Sequence, residues 1–103
     1  MKRIERRIQA SEDLDSTVAY YLDIAGVVLS KRFLDEYNSA LIHIATHPGT
    51  GSRRYVQLSD GAELRFWTLK RFPYAVFYID RPDAIEVVRV LHQSSDIPAH
   101  LEP

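Results

Sequence analysis

Two histidines four residues apart are the first candidates for chemistry in this sequence. His43 and His47 have the i, i+4 spacing at which two imidazoles on one helical face can share a zinc ion. The glutamate of the zinc-protease motif is missing, because position 44 is Ile, and the sequence suggests no third ligand. Histidines near a helix C-terminus also interact favourably with the helix dipole. The sequence therefore favours two helix-end histidines over a metal site.

Two dibasic pairs, Arg53-Arg54 and Lys70-Arg71, are the local positive charges that could contact a phosphate. The formal net charge of the chain is -1, whereas a domain that holds nucleic acid by bulk electrostatics usually has a markedly basic balance. A lone dibasic pair is more often a solvated edge or turn. Any contact with nucleic acid must therefore be local.

Arg89 and His92 stand out because each interrupts an apolar row of a predicted strand. They close the stretch 65–92, which holds the only Trp and the densest run of aromatic and β-branched residues. Two turn signals, Phe72-Pro73 and Asp80 to Asp83, divide this stretch into three strand-length pieces, so we predict an antiparallel meander. In the last piece, one alternating row is Ile85, Val87, Arg89 and Leu91, and the other is Glu86, Val88, Val90 and His92.

The middle piece of the meander, Tyr74 to Ile79, is apolar on both alternating faces. One row is Tyr74, Val76 and Tyr78, and the other is Ala75, Phe77 and Ile79. A strand of this kind is central in its sheet and covered on both sides.

Two amphipathic helices precede the meander. Arg3 to Ala10 is predicted to be an edge strand whose charges discourage pairing with other chains, and Ser11 is a good N-cap for the first helix. Gly26 is the natural stop of this helix, and Pro48 follows the second. The apolar stripes are Leu14, Val18, Tyr21, Leu22 and Ala25 in the first helix and Leu29, Phe33, Tyr37, Leu41 and Ile44 in the second. The tight break predicts an antiparallel hairpin lying across one face of the sheet.

A fourth strand is predicted between the hairpin and the meander. Pro48 to Ser52 is a flexible link, Tyr55 to Leu58 resumes strand character, and Ser59 to Gly61 turns it into the strand that begins near Glu63. The tail after His92 is expected to be loosely packed or a short helical end. The predicted fold class is α/β (α+β): an N-terminal edge strand, an antiparallel helical hairpin, and then three to four antiparallel strands in one sheet. Helices on one face leave the other face as an apolar patch, which a monomer rarely exposes.

Composition supports a single domain over residues 1–103. The chain is 46% hydrophobic and 26% charged, which suits one modest core. It contains no cysteine, so it has neither a disulfide framework nor a thiolate metal site, and a reducing compartment is allowed. No stretch approaches the roughly 18 apolar residues of a membrane span. We expect a cytoplasmic protein without a membrane segment or a cofactor.

A series of short motifs runs through the chain in a fixed order. The C-terminal half contains Leu64-Arg65, then Phe72-Pro73-Tyr74-Ala75-Val76-Phe77-Tyr78, then Arg89-Val90-Leu91-His92 with Asp96 following. Upstream are Asp13-Leu14, Tyr20-Tyr21, Arg32-Phe33-Leu34, Ile44, Pro48 and Gly51. In this order and spacing the sequence resembles the ParE-like branch of the RelE/ParE toxin superfamily over most of its length.

The resemblance implies a toxin of a type II toxin–antitoxin system. ParE-like toxins inhibit DNA gyrase by binding it and trapping cleaved DNA, and a small ParD-like antitoxin neutralises them in a hetero-oligomer. The uncharged Tyr74-Ala75 position and a tail without Tyr, Lys or Arg favour this function over the RelE-type one. The family usually has a basic residue between R-V-L-H and the Asp, whereas this chain has Gln93-Ser94-Ser95 there.

Two alternatives remain open. A RelE-like ribosome-dependent messenger-RNA endonuclease would need Arg, Lys and a Tyr or His around the scissile phosphate, and Arg65, Arg89 and His92 are the candidates, converging on the open sheet face or its rim. A detoxified member would only bind its antitoxin and regulate transcription through that complex.

The resemblance also suggests contact residues, and none of them is catalytic if the chain acts by binding. Contacts with the target or the antitoxin are expected at Arg65, Trp67, Lys70, Arg71, Tyr74, Arg89 and His92. In the simpler structural interpretation, Arg89 forms an ion pair with Glu63 or Glu86, and His92 is a half-buried strand-end histidine. We expect the antitoxin's C-terminal segment to cover the open sheet face and to wrap toward the hairpin. The chain alone, with this face uncovered, should be poorly soluble or should self-associate.

Overall fold

One long, broken helix packs across a four-stranded sheet in the computed structural model, which describes residues 1–101. The elements in chain order are β1 (Arg3–Arg6), α1 (Ile8–Thr46), a first 3₁₀ turn (Pro48–Thr50), a second 3₁₀ turn (Val56–Ser59), β2 (Leu64–Thr68), β3 (Tyr74–Asp80), β4 (Ala84–His92) and α2 (Ile97–Leu101). The predicted fold class is confirmed. No helix among these residues is long and apolar enough to cross a membrane.

The break in α1 occurs at Gly26, as predicted. Its backbone has φ +83° and ψ -174°, a conformation that is essentially restricted to glycine. A straight helix of 39 residues would be about 58 Å long, yet the longest dimension of the molecule is 40 Å. The helix therefore folds back at Gly26 into two arms, and the rings of Tyr21 and Phe33 meet across the bend with centroids 5.5 Å apart.

The start of the helix was predicted too late. The edge strand ends at Arg6 instead of Ala10, and the helix begins at Ile8 instead of after Ser11. The N–H of Arg7 donates to Val87 of β4, and Ser11 already donates to the carbonyl of Arg7. Ile8 suggested a continuing strand, but its side chain is exposed to solvent.

The sheet has the order β1-β4-β3-β2, with β1 parallel to β4 and the other neighbours antiparallel. The central position of β3 and the edge position of β1 are therefore confirmed. The predicted strand at Tyr55 to Leu58 is wrong, since Val56–Ser59 form the second 3₁₀ turn, and the fourth strand is β1. The hydroxyl oxygen of Ser59 lies 2.5 Å from the carbonyl oxygens of both Val56 and Ala62, so its one proton donates within the turn and closes it locally.

The alternation predicted along β4 is broken by a β-bulge. Phe77 pairs with Arg89 and Tyr78 pairs with Val87, so Val88 is an extra residue on β4. A bulge changes which face the following side chains occupy. Val87 accordingly packs in the helix-side core, whereas Leu91 packs on the opposite face.

Both faces of the sheet are covered by the chain itself, so the prediction of an open apolar face is wrong. The helix-side core is built on buried residues such as Phe33, Tyr37, Ile44, Val76, Tyr78 and Ile85. The other face buries Leu64, Ala75, Phe77, Ile79, Val88 and Leu91. Ile97 of α2 belongs to this second cluster, and Tyr55 and Leu101 pack against it. The reason for expecting self-association through this face is thereby removed.

Gly26→Ala should lower the free energy of unfolding by about 1–3 kcal/mol, because alanine does not tolerate this backbone conformation. No atom lies within 4 Å of a Cβ built at this position, so the cost would arise from the backbone alone. Urea titration followed by circular dichroism measures the change.

Gly49→Ala is the matched control, since Gly49 also has open space around it and no positive φ. Equal losses of stability in the two variants would contradict the role given to Gly26.

Candidate functional site

Arg65 lies near the start of β2 and donates hydrogen bonds to the loop that follows α1. Its Nη1 lies 3.3 Å from the carbonyl oxygen of Gly49 and 3.1 Å from that of Gly51. Its Nη2 lies 3.8 Å from a carboxylate oxygen of Glu63. The guanidinium is therefore used largely inside the molecule, where it holds the loop against the sheet.

The same loop is fixed by the hydroxyl of Tyr78. This hydroxyl donates to the carbonyl of Pro48 at 2.7 Å and accepts the N–H of Gly51 at 3.0 Å. Burial raises the pKa of the Tyr78 phenol. A Cβ at position 51 would lie 2.5 Å from the hydroxyl oxygen, so only glycine allows this close approach.

Arg89 forms its ion pair with Asp13, and the predicted pairing with Glu63 or Glu86 is wrong. Its Nε and Nη2 lie 2.7 and 2.9 Å from the two carboxylate oxygens of Asp13, and this hydrogen bonding raises the pKa of the guanidinium. The side chains are 15% and 16% exposed. Its Nη1 also donates to the carbonyl of His100 at 3.2 Å, which connects α2 to the pair.

Asp13 has a second function at the edge of β4. β1 pairs with β4 only as far as Val87, and beyond it the N–H of Val90 donates to Asp13 at 3.0 Å. One carboxylate thus satisfies both the guanidinium of Arg89 and a backbone group that no strand covers.

Glu86 is not available to Arg89, because two other arginines bind it. Arg7 and Arg81 each donate to its carboxylate. Burial would raise the pKa of Glu86, but these hydrogen bonds outweigh it and hold the pKa below the usual value. The three side chains join β1, β4 and the turn before β4.

His92 is a half-buried residue at the end of β4, as the structural interpretation expected. Its Nδ1 accepts the N–H of Ser94 at 3.0 Å and lies 2.7 Å from the Ser94 hydroxyl. The ring meets that of Tyr74 edge to face, with centroids 5.1 Å apart. Tyr74 in turn contacts the rings of Tyr21 and Phe33 in the helix-side core.

The structure does not bring Arg65, Arg89 and His92 together. Arg65 pairs with Tyr78 and His92 pairs with Tyr74, so they are separated by four residues along the sheet, or about 14 Å. Arg89 pairs with Phe77 and therefore lies on the opposite face. Three side chains in these positions do not surround one phosphate group.

Trp67, Lys70 and Arg71 do share a site. They lie along a groove of about 1190 Å³ between the second arm of α1 and the turn after β2, which we call the Trp67 groove. The other lining residues include Tyr21, Leu29, Arg32, Glu36, Leu69 and Phe72. Glu36 accepts the backbone N–H groups of Lys70 and Arg71 at 2.5 and 2.8 Å, which fixes this turn to the helix.

His43 of α1 lines the Trp67 groove, and His47 is the C-cap residue that follows this helix. Their ring centroids are 5.3 Å apart, and the ring of His43 stacks on Trp67 at 4.5 Å. The Nε2 of His43 also lies 3.1 Å from the hydroxyl of Thr50. No group of three potential metal ligands comes together within residues 1–101.

The sequence patterns did not indicate three residues that hold the site together. Asp13 fixes Arg89, Glu36 fixes the turn after β2, and Gly51 allows the loop after α1 to approach the sheet. Asp13 and Glu36 each lie on a helix with no local signal for a distant partner. Gly51 stands in the sequence P-G-T-G-S, which suggested flexibility instead of a close contact with Tyr78. The interactions become visible only when the elements are packed.

The fold is that of a small α+β domain, and comparison with known proteins identifies its family. The model of the family described as "ParE toxin of type II toxin-antitoxin system, parDE" matches residues 4–97. The chain therefore belongs to the ParE toxin family.

One similar solved structure is described as the "Chromosomal ParDE TA system from P. aeruginosa". It aligns with a TM-score of 0.71 and 18% sequence identity, over 89% of this chain and 96% of that one. At this identity the likeness shows the fold. No curated protein sequence matches the chain.

Asp13→Ala should lower the free energy of unfolding by about 2–4 kcal/mol, because it leaves Arg89 as a largely buried charge without its partner. The N–H of Val90 loses its acceptor in the same variant. A double-mutant cycle with Arg89→Ala, followed by urea unfolding, isolates the pair.

Glu5→Ala is the control, because the Arg3–Glu5 pair is exposed on both sides and exposed pairs contribute little. The assignment fails if the two substitutions are equally destabilising, or if the cycle gives no coupling between Asp13 and Arg89.

Proposed function

We propose that this chain is a toxin that inhibits DNA gyrase by binding it, acts in the cytoplasm, and is neutralised by a cognate ParD-like antitoxin in a toxin–antitoxin complex. Membership in the ParE family supports the toxin class. The observation that carries binding over catalysis is the separation of Arg65, Arg89 and His92 on the sheet.

A ribonuclease needs positioned charges and a proton carrier around one scissile phosphate. Arg65 already donates to two carbonyls, and the charge of Arg89 is neutralised by Asp13. To release Arg89 would expose a buried carboxylate and a backbone N–H, which is unfavourable. His92 alone remains, so the arrangement supports recognition of a target surface.

The packing of the sheet also changes which surface is free to bind an antitoxin. The sheet face opposite α1 is covered by Ile97, Leu101 and Tyr55 of the chain itself, so an antitoxin is not required to bury it. The Trp67 groove is a free surface that combines apolar and charged groups.

The purified chain should reduce supercoiling by DNA gyrase and increase the amount of cleaved DNA. Addition of the antitoxin encoded beside this chain should restore supercoiling, and induction in cells should trigger a DNA-damage response. Intact supercoiling together with arrested translation would contradict the proposal and support the ribonuclease alternative.

His92→Gln should leave growth arrest nearly unchanged, because glutamine keeps much of the size and hydrogen-bonding capacity of the imidazole. In a ribonuclease, loss of a positioned proton carrier lowers the cleavage rate by roughly a hundredfold or more. Growth arrest after induction is compared for the wild type, Arg65→Ala, Arg89→Ala and His92→Gln.

Soluble protein is measured for every variant, since the internal contacts of Arg65 and Arg89 make these two substitutions destabilising. Selective loss of messenger cleavage in ribosome-containing extract with soluble His92→Gln would show that the chain is a ribonuclease.

A further inference from the structure

The bend of α1 exposes a group of apolar side chains to solvent. Five of the eight exposed large apolar residues within residues 1–101 lie between positions 20 and 28, and they are Tyr20, Leu22, Ile24, Val27 and Val28. No atom lies within 4 Å of a Cβ built at Gly26, so no other part of residues 1–101 packs against this point of the bend. We call the five exposed residues the hairpin-tip patch.

The exposure of this patch is larger than scattered surface residues explain. Its side chains are between 49% and 70% exposed, whereas Tyr21 and Ser30, on the inner side of the two arms, are buried. Single exposed apolar residues are normal on a monomer. A contiguous group that presents a few hundred Å² often has a function.

One acidic and one basic side chain lie beside the patch. Asp23 follows Tyr20 by three residues and Lys31 follows Val27 by four, so each lies on the helical face of its apolar neighbour. Both are exposed. Lys31 lies 3.4 Å from Asp35, but an ion pair between two exposed groups contributes little. A second copy of the chain can therefore offer each of the two an opposite charge.

We propose that the hairpin-tip patch is the interface of a weak homodimer, in which two copies pack tip against tip around a twofold axis. The same surface then lies on both sides of the interface, so the apolar residues of the two copies cover each other and Asp23 of each copy faces Lys31 of the other. The two patches and the polar groups around them bury on the order of 1,000 Å² in total, which is the lower end for a specific interface. The expected affinity is in the micromolar range.

The charge of the first arm argues against a membrane or nucleic acid as the occupant. Residues 8–30 contain no lysine or arginine, and their carboxylates are Glu12, Asp13, Asp15 and Asp23. Anionic lipid surfaces and nucleic acid attract basic side chains, and they repel an arm of this charge. A twofold interface has no such conflict, because each copy supplies both signs.

Sedimentation velocity of the full chain between about 5 and 200 µM measures the dimer. Val27→Ser/Val28→Ser should weaken dimerisation about tenfold or more, because four apolar side chains are lost from each dimer. Ile8→Ser/Ile42→Ser is the matched control, since these two exposed apolar residues lie outside the patch, and its affinity should stay within about twofold of the wild type. Circular dichroism checks that both variants are folded.

A charge exchange tests how the two copies are oriented. Asp23→Lys and Lys31→Glu should each weaken the dimer about threefold at low salt, because each places like charges opposite one another. The double variant Asp23→Lys/Lys31→Glu should restore the affinity, and failure to do so overturns the pairing of these two residues. A wild type that stays monomeric over the whole concentration range overturns the proposal, as does a dimer that Val27→Ser/Val28→Ser leaves intact.

Vesicles of phosphatidylcholine and phosphatidylglycerol are sedimented with the chain in parallel. We expect no binding to these vesicles. A monomeric wild type that binds them, with binding lost in Val27→Ser/Val28→Ser, would overturn the assignment in favour of a membrane surface.

Discussion

The structure depends on a central strand that is apolar on both of its faces. Residues 75–79 of β3 are all buried, so the strand is stable only if something covers each side of the sheet. The two arms of α1 cover one side, and the short segments around Tyr55 and Ile97 cover the other. The N-terminal hairpin and the C-terminal tail are therefore both needed to cover the two faces of this one strand.

Most of the charged residues near this sheet stabilise its edges. Arg65 holds the loop after α1, Arg89 joins Asp13 to α2, and Glu86 binds two arginines near β1. Most polar atoms of these groups are paired internally, although the buried Nε of Arg65 has no partner among residues 1–101, so the groups are poorly suited to stabilise a reacting phosphate. The Trp67 groove differs because Arg32, Lys70 and Arg71, which line it, form no ion pair within residues 1–101.

The predictable part of the fold followed from periodic or conformational signals. Both rows of β3 are apolar, which identified it as central, and Gly26 marked the bend between two helical stripes. Tyr55 to Leu58 was misassigned because its β-branched and aromatic residues have strand character, while the local hydrogen bonds of Ser59 produce a turn. The bulge at Val88 depends on the register with β3, which alternation within β4 does not specify.

The candidate site was less predictable, because it depends on contacts between distant residues. Asp13 and Arg89 are 76 positions apart, and two acidic residues near Arg89 in sequence, Asp83 and Glu86, do not form its ion pair. Trp67, Lys70 and Arg71 were expected to contact a partner. That Arg32 and Glu36 form the opposite wall was not predicted, because helix packing places them there. Local patterns do not identify the residue across a groove.

The pairing of β1 with β4 also has a consequence for how the protein is made. β1 is synthesised before its neighbours in the sheet, residues 84–87, and Asp13 likewise finds Arg89 only after β2 and β3 have been made. Contacts between such distant segments are formed late and close long loops. A nascent or prematurely terminated chain that ends before Ala84 has no complete sheet, so translation must pass that point before the cell contains a folded toxin.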